Sequence, residues 1–228
     1  MHKFSNLQKF IINEKKTHTV TFNTATSKDF YPRIKNEEGI IYNNCEQFKL
    51  LGIDVSTDER KGIKFDTYIN NCIKKAYLNL WILRRLAELG ISTEKLLLTY
   101  FLRIRVMIEQ NSPLWMFNIS KAMINKIEKI QKISVYIILG KDAHKDYLCN
   151  LAILNIEPLE VRREKIAERF ASKILKHPEH RKIFRFVNND RTRLGKRVHV
   201  PHTRTARYER STVPSLAKII NEKLTHKF

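Results

Sequence analysis

Two close acids can hold the divalent metals that phosphoryl transfer needs, so paired carboxylates are the first chemistry to weigh in this chain. Two such pairs occur, Glu37-Glu38 and Asp58-Glu59. Both lie in polar, turn-like sequence, and no aromatic-Ala-Asp-Asp hairpin exists to present them, so they read as surface acids. Histidines offer a second metal chemistry at His177-Pro178-Glu179-His180 and at His199 with His202. Neither group has a cysteine nearby and Pro178 interrupts the first, so solvated or capping roles fit better and no metal ligand is assigned. Cys45, Cys72 and Cys149 are far apart and odd in number, which suits a reducing compartment rather than a disulfide framework. There is no Gly-x-Ser-x-Gly, no P-loop and no dinucleotide loop among six glycines. On its own residues the chain reads as a binder.

The ligand class follows from charge. Lys and Arg number 43 against 23 Asp and Glu, a formal net charge of +20, so polyanions are attracted. The richest apolar run, Leu96 to Ile108, is broken by Arg103 and Arg105, and a transmembrane helix is not expected. Met1-His2-Lys3-Phe4-Ser5 lacks the apolar core of a signal peptide. Nucleic acid is therefore the leading partner, no membrane is expected, and an intracellular location, nuclear or cytoplasmic, is.

The elements that would position these cations can be read from periodicity. Thr17 to Phe22 alternates and is β-branched, and predicts a strand. Ile40 to Tyr42 and Phe48 to Val55 predict two more, with Asn43-Asn44 as turn material. From Asp66 the period becomes helical. Ile69, Cys72/Ile73, Ala76, Leu80 and Leu83 form one stripe running to about Leu89, where Gly90 stops it. Ser92 or Thr93 caps a second helix ending before Pro113, and a third spans roughly Ser120 to Leu139 with Gly140 closing it. A short helix near Asp146 to Leu154 and another from Leu159 to Leu175 come next. Residues 178 to 210 carry about ten Lys/Arg and few apolar residues, a composition that predicts a mobile tail. Pro214 to Leu224 closes with a short helix.

Several blocks, in order, resemble the end of a non-LTR (LINE-type) retrotransposon reverse transcriptase, from just after its catalytic aspartates into the thumb. They begin with Asn13-Glu14-Lys15-Lys16-Thr17 and Leu51-Gly52. Leu80-Trp81-Ile82-Leu83-Arg84-Arg85-Leu86, Pro113-Leu114-Trp115 and Ile127-Glu128-Lys129-Ile130-Gln131-Lys132 come after these, then Ile137-Ile138-Leu139-Gly140. The series closes with Leu154-Asn155-Ile156-Glu157-Pro158-Leu159-Glu160 before Arg162-Arg163, and with Thr203 to Pro214.

The resemblance implies a mainly α fold. Residues 1–64 would be a small antiparallel palm-edge β remnant, 65–140 a thumb-like three-helix bundle, and 141–228 a basic helical appendage with a mobile tail. It implies that Lys16 lies near the phosphates of an incoming nucleotide and could assist the departing pyrophosphate. Leu51 and Gly52 would belong to a primer grip. Fingers, most of the palm and the metal-binding aspartates have no counterpart here, so no catalytic residue is assigned, and Mg²⁺ is expected only in a full-length enzyme. The implied role is a fragment of an RNA-directed DNA polymerase, inactive alone, whose thumb binds RNA and RNA/DNA duplex and whose partner could be the missing palm and fingers. Lys74, Lys75, Arg84, Arg85, Arg103 and Arg105, with Arg193, Arg197, Arg204 and Arg207 in the tail, are the candidate phosphate contacts. The alternative from another class is a repurposed non-enzymatic RNA- or DNA-binding protein.

Overall fold

The computed structural model describes residues 17–20, 45–57, 63–188, 196–204 and 206–225. Among these the protein is mainly helical with a small three-stranded antiparallel sheet. The chain groups into two compact units, Met1–Tyr68 and Ile69–Phe228.

In the first unit β1 (Gln47–Leu50) pairs antiparallel with β2 (Ile53–Thr57), and β2 with β3 (Ile63–Lys64). The run expected as one strand, Phe48 to Val55, instead folds back on itself. Leu50 pairs with Ile53, which leaves Leu51-Gly52 as a two-residue loop with φ of 48° and 87°. Positive φ at both positions is the twist-matched hairpin turn; glycine adopts it freely, whereas a γ-branched leucine there is unusual and hides the turn from propensity. Of the strand expected at Thr17 to Phe22, the described residues show an isolated bridge at Thr19, whose carbonyl accepts from the Cys45 N–H at 2.9 Å. The strand expected at Ile40 to Tyr42 lies outside the described residues.

Helix α1 (Asp66–Glu88) runs through the expected stripe, burying Ile69, Ile73, Ala76, Leu80 and Leu83, and Gly90 lies just beyond it at φ 74°. The second expected helix is real but not uniform. It begins as α2 (Thr93–Thr99), widens into a π-helical turn at Tyr100–Arg105, and returns as α3 (Val106–Glu109). Its buried residues explain why: Leu96, Tyr100, Ile104 and Ile108 repeat every four positions. At 100° per residue an α-helix carries an every-fourth stripe about 40° further round at each step. The wider turn takes up that drift and keeps the stripe on one side.

Asn111 at φ 56° reverses the chain into α4 (Ser112–Trp115), and a 3₁₀ turn, Met116–Asn118, leads to α5 (Lys121–Leu139). Ser120 caps α5 by accepting from the Met123 N–H at 3.2 Å, as its position predicts. A 3₁₀ turn at Gly140–Asp142 precedes α6 (Tyr147–Ile153), whose start is capped by the Asp146 carboxylate on the Leu148 N–H at 3.2 Å. That bond, with the Cys149 thiol donating to the same group, holds the Asp146 carboxyl below the usual carboxylate range.

Residues 65–140 and 141–228, expected as separate regions, belong to one unit from Ile69 onward. α7 (Leu159–Lys176) is tied to the preceding helices by charge and by amide. Arg162 grips Glu109 through both oxygens, its Nη2 donating at 3.0 Å, and the carboxylate raises the guanidinium's affinity for its proton. Gln131 of α5, 1% exposed, accepts from the Tyr100 hydroxyl and donates to the Glu157 carbonyl, each at 2.9 Å.

The described residues of the segment expected as a mobile tail are built into the fold. After α8 (Pro178–Arg181), β4 (Phe186–Asn188) and β5 (Lys196–Val198) form an antiparallel hairpin ladder. Then α9 (Ala206–Glu209) precedes α10 (Thr212–Thr225). Phe184 and Val198 are buried with Ala171 and Ile174 of α7 and with Leu216, Ala217 and Ile220 of α10. Asn221 fixes the hairpin to the helix: its Oδ1 accepts from the Val198 N–H at 2.8 Å and its Nδ2 donates to the Val198 carbonyl at 2.9 Å. A side-chain amide thus stands in for a neighbouring strand. In a basic segment of low average apolarity, Phe184 and Val198, with Phe186 and Val200 packed beside them, supply the anchoring contacts.

Candidate nucleic-acid interface

Helix α1 divides sharply between its two sides. Opposite the buried stripe, Lys74, Lys75, Tyr77, Leu78, Trp81, Arg84 and Arg85 are all exposed. Lys74 stands one turn before Tyr77 and Leu78, these stand one turn before Trp81, and Trp81 one turn before Arg84 and Arg85. Side chains three and four apart are neighbours on a helix, so Lys74, Leu78, Trp81 and Arg85 form one strip, with Tyr77 and Arg84 along one edge of it and Lys75 beyond the other. From Ile69 to Glu88 the helix carries those four cations and a single carboxylate, Glu88. Arg85 pairs with Glu88 at 2.7 Å, while Lys74, Lys75 and Arg84 make no ion pair among the described residues. An exposed ion pair of this kind contributes little and exchanges readily, so it leaves Arg85 available.

The remaining cations named from sequence do not all join this strip. Arg103 is exposed on the π-helical turn and Arg204 on the bend before α9. Arg105, though, is drawn inward. Its guanidinium lies 3.8 Å from the centre of the Phe101 ring and 4.0 Å from Glu109, with the side chain only 20% exposed. Burial first, and the neighbouring Arg162 next, make its protonated form less favourable than an open arginine's. Arg105 is therefore engaged in packing and pairing, which leaves less of its guanidinium open to a phosphate than exposed Arg103 has. Lys16 and Arg193 lie outside the described residues. Arg197 and Arg207 have their backbones in β5 and α9, and their side chains lie outside the described part. Leu51 and Gly52 form the exposed tip of the β1–β2 hairpin.

The acid pairs Glu37-Glu38 and Asp58-Glu59 lie outside the described residues. His177, His199 and His202 are exposed, and among the described residues no group of three or more His, Cys, Asp or Glu could hold a metal ion. The Cys149 thiol is held up by its bond to Asp146, which disfavours a reactive thiolate. An open cavity of about 420 Å³ is lined by Phe117, Glu209, Arg210, Ser215 and Lys218, with Lys218 already paired to Glu209 at 2.9 Å. That pairing holds the Glu209 carboxyl below its usual range and leaves Arg210 as the cavity's one uncompensated lining charge among the described residues.

Sequence reasoning missed Arg163, one residue beyond the Glu109 clamp. It is 4% exposed, and among the described residues its Nη1 has no hydrogen-bond partner, as is true of the buried Glu128 Oε2. Burial pulls the guanidinium's proton affinity down, and Glu128 is its strongest electrostatic counterweight. The Arg162-Arg163 doublet looks like surface charge in a helical wheel. Only position 163 falls on the stripe of Leu159, Ala167, Ala171 and Ile174, and that spacing was the available signal.

No helix among the described residues is long and apolar enough to cross a membrane. Comparison with protein-family models, with curated proteins and with solved structures gave no match for this chain.

Proposed function

We propose that this chain is a nucleic-acid-binding protein corresponding to the palm-edge and thumb part of a LINE-type reverse transcriptase, its helical unit holding template–primer duplex through phosphates. The observation that carries the binding is the exposed strip of α1, where Lys74, Lys75 and Arg84 stand with no carboxylate to neutralise them among the described residues. The ordered sequence blocks support the family reading, and the net charge of +20 supports a polyanionic ligand. In this reading Leu51-Gly52 is the primer-facing loop and metal-dependent nucleotide transfer falls to residues outside this sequence.

Backbone contacts of this kind release counterions, so affinity should fall linearly in log–log against salt with a slope of about −0.9 per phosphate neutralised. Four strip cations engaged predict a slope of about −3.6. The test is fluorescence anisotropy of the full chain with a labelled RNA/DNA hybrid across a salt series. Changing Lys74, Lys75 and Arg84 together to alanine should flatten the slope by about 2.7 units. Binding indifferent to salt, or a slope unaltered by the triple substitution, would remove α1 from the interface.

A further inference from the structure

Trp81 is 63% exposed and Leu78 70% exposed, with Tyr77 open beside them, in the middle of the cationic strip. Phosphate binding alone does not call for these residues. A surface meant only to neutralise a backbone gains nothing from three large apolar side chains held in water, whereas covering them with a ligand would be favourable. A helix meant to pack into a protein core would not flank them with four cations. Among the described residues the chain's other tryptophan, Trp115, is 2% exposed and donates its indole N–H to the Gln110 carbonyl at 3.0 Å, so the fold does bury an indole where packing requires one.

The arrangement has a consistent chemistry. Lys74 and Lys75 lie about 9–10.5 Å along the axis on one side of Trp81, and Arg84 and Arg85 about 4.5–6 Å on the other. A strand crossing the strip would meet a cation, then an aromatic face, then a cation. Stacking platforms for unpaired nucleotides combine backbone neutralisation with a flat ring on which a base can lie. In a continuous duplex the bases are stacked on each other and offer no face to an indole from outside.

We propose that the Tyr77–Leu78–Trp81 strip of α1 is a stacking platform for unpaired bases, so that α1 holds continuous duplex through phosphates alone and an unpaired stretch of RNA or DNA through ring stacking as well. This rests on the nucleic-acid reading above and extends its ligand. The occupant is assigned by charge complementarity, since a strip with four cations and one carboxylate already paired to one of them suits a polyanion.

The experiment uses the full chain and its own fluorescence. A mixed-sequence single-stranded 12-mer RNA, the same sequence as a blunt duplex, and inorganic polyphosphate of matched charge are each titrated while tryptophan emission and anisotropy are followed. The single strand should quench the exposed indole, whereas duplex and polyphosphate bind with little quenching. Trp81→Ala should weaken single-strand binding by roughly five- to a hundredfold while changing duplex binding little, and Trp81→Phe should retain most of the affinity. Neither substitution touches the buried stripe, so the helix should keep its circular dichroism. Binding of the single strand with unchanged emission, equal quenching by polyphosphate, or Trp81→Ala binding as the parent does would each overturn the platform while leaving phosphate binding intact. Failure of all three polyanions to bind would overturn the platform and the nucleic-acid reading together.

Discussion

Replacing Gln131 with leucine tests how the helical unit is held together. The side chain is enclosed, and its amide satisfies two groups from different parts of the chain, the Tyr100 hydroxyl on the π-helical turn and the Glu157 carbonyl before α7. Leucine keeps the volume but leaves both partners orphaned. An unsatisfied buried polar group costs about 1–3 kcal/mol. Tyr100 is fully buried and pays at the upper end, while Glu157 is only partly covered, so Gln131→Leu should cost about 2–5 kcal/mol. For a unit of this size that lowers Tm by on the order of 10 °C. Tyr100→Phe orphans only the Gln131 oxygen and should cost about 1–3 kcal/mol. The double variant has no orphan at that bond, so it should be less destabilised than the sum by about 2 kcal/mol or more. Urea and thermal unfolding followed by circular dichroism measure all four proteins. Additivity within about 0.5 kcal/mol, or a Gln131→Leu protein as stable as the parent, would refute the proposed tie.

Burial raises the Tyr100 phenol well above its ordinary value near 10, so below that pH both states are neutral and nothing changes with pH. Above it the unfolded chain loses a proton that the folded one keeps, so Tyr100 should lower stability by about 1.4 kcal/mol per pH unit; Tyr100→Phe should remove that share in alkaline denaturation and leave the like share of Tyr147, whose phenol burial also raises. Truncation after Leu175 should disrupt the helical unit rather than merely trim charge, since it strips Phe184, Val198, Leu216, Ala217 and Ile220 from Ala171 and Ile174; unchanged melting would contradict the packing. Ile220→Ala alone should cost about 2–5 kcal/mol by chemical denaturation. Asn221→Ala should free the β4–β5 hairpin, giving faster hydrogen exchange at Val198 while the amides of α5 stay protected.

The helices were legible wherever a stripe met a cap. Gly90, Ser120, Gly140 and Asp146 each stand at an end that the structure places within a residue or two, because each satisfies a terminal backbone group or takes a positive φ by local chemistry alone. The π-helical turn was written in the four-residue repeat of Leu96, Tyr100, Ile104 and Ile108, yet an amphipathic template of 3.6 residues accepts the same stripe. The Leu51-Gly52 turn was masked by apolar neighbours on both sides, and the strands from Ile40 and Thr17 fall largely outside the described residues. Charge was the least legible property. Lys74, Lys75 and Arg84 are exposed, whereas Arg105 and Arg163 are turned inward, and the difference lies in which residues from α4, α5 and α7 come to surround them. For Arg105 the i−4 ring of Phe101 and the i+4 carboxylate of Glu109 were visible locally, but the cover from Arg162 and the residues enclosing Arg163 were not.

The wide turn at Tyr100–Arg105 also bears on how many residues this helix can have. Twelve steps separate Leu96 from Ile108; at the regular pitch that leaves them about 120° apart, while eleven steps would leave them only about 20° apart. The turn therefore stores one residue's worth of rotation. Losing exposed Leu102 would let the helix close to regular pitch with both ends still aimed at their neighbours, whereas losing a residue from the middle of α1 would turn half its strip toward the core. Length variation in such a chain should be tolerated at the first place and purged at the second, which makes the turn the point where the helix can be re-cut without re-aiming Glu109 at Arg162.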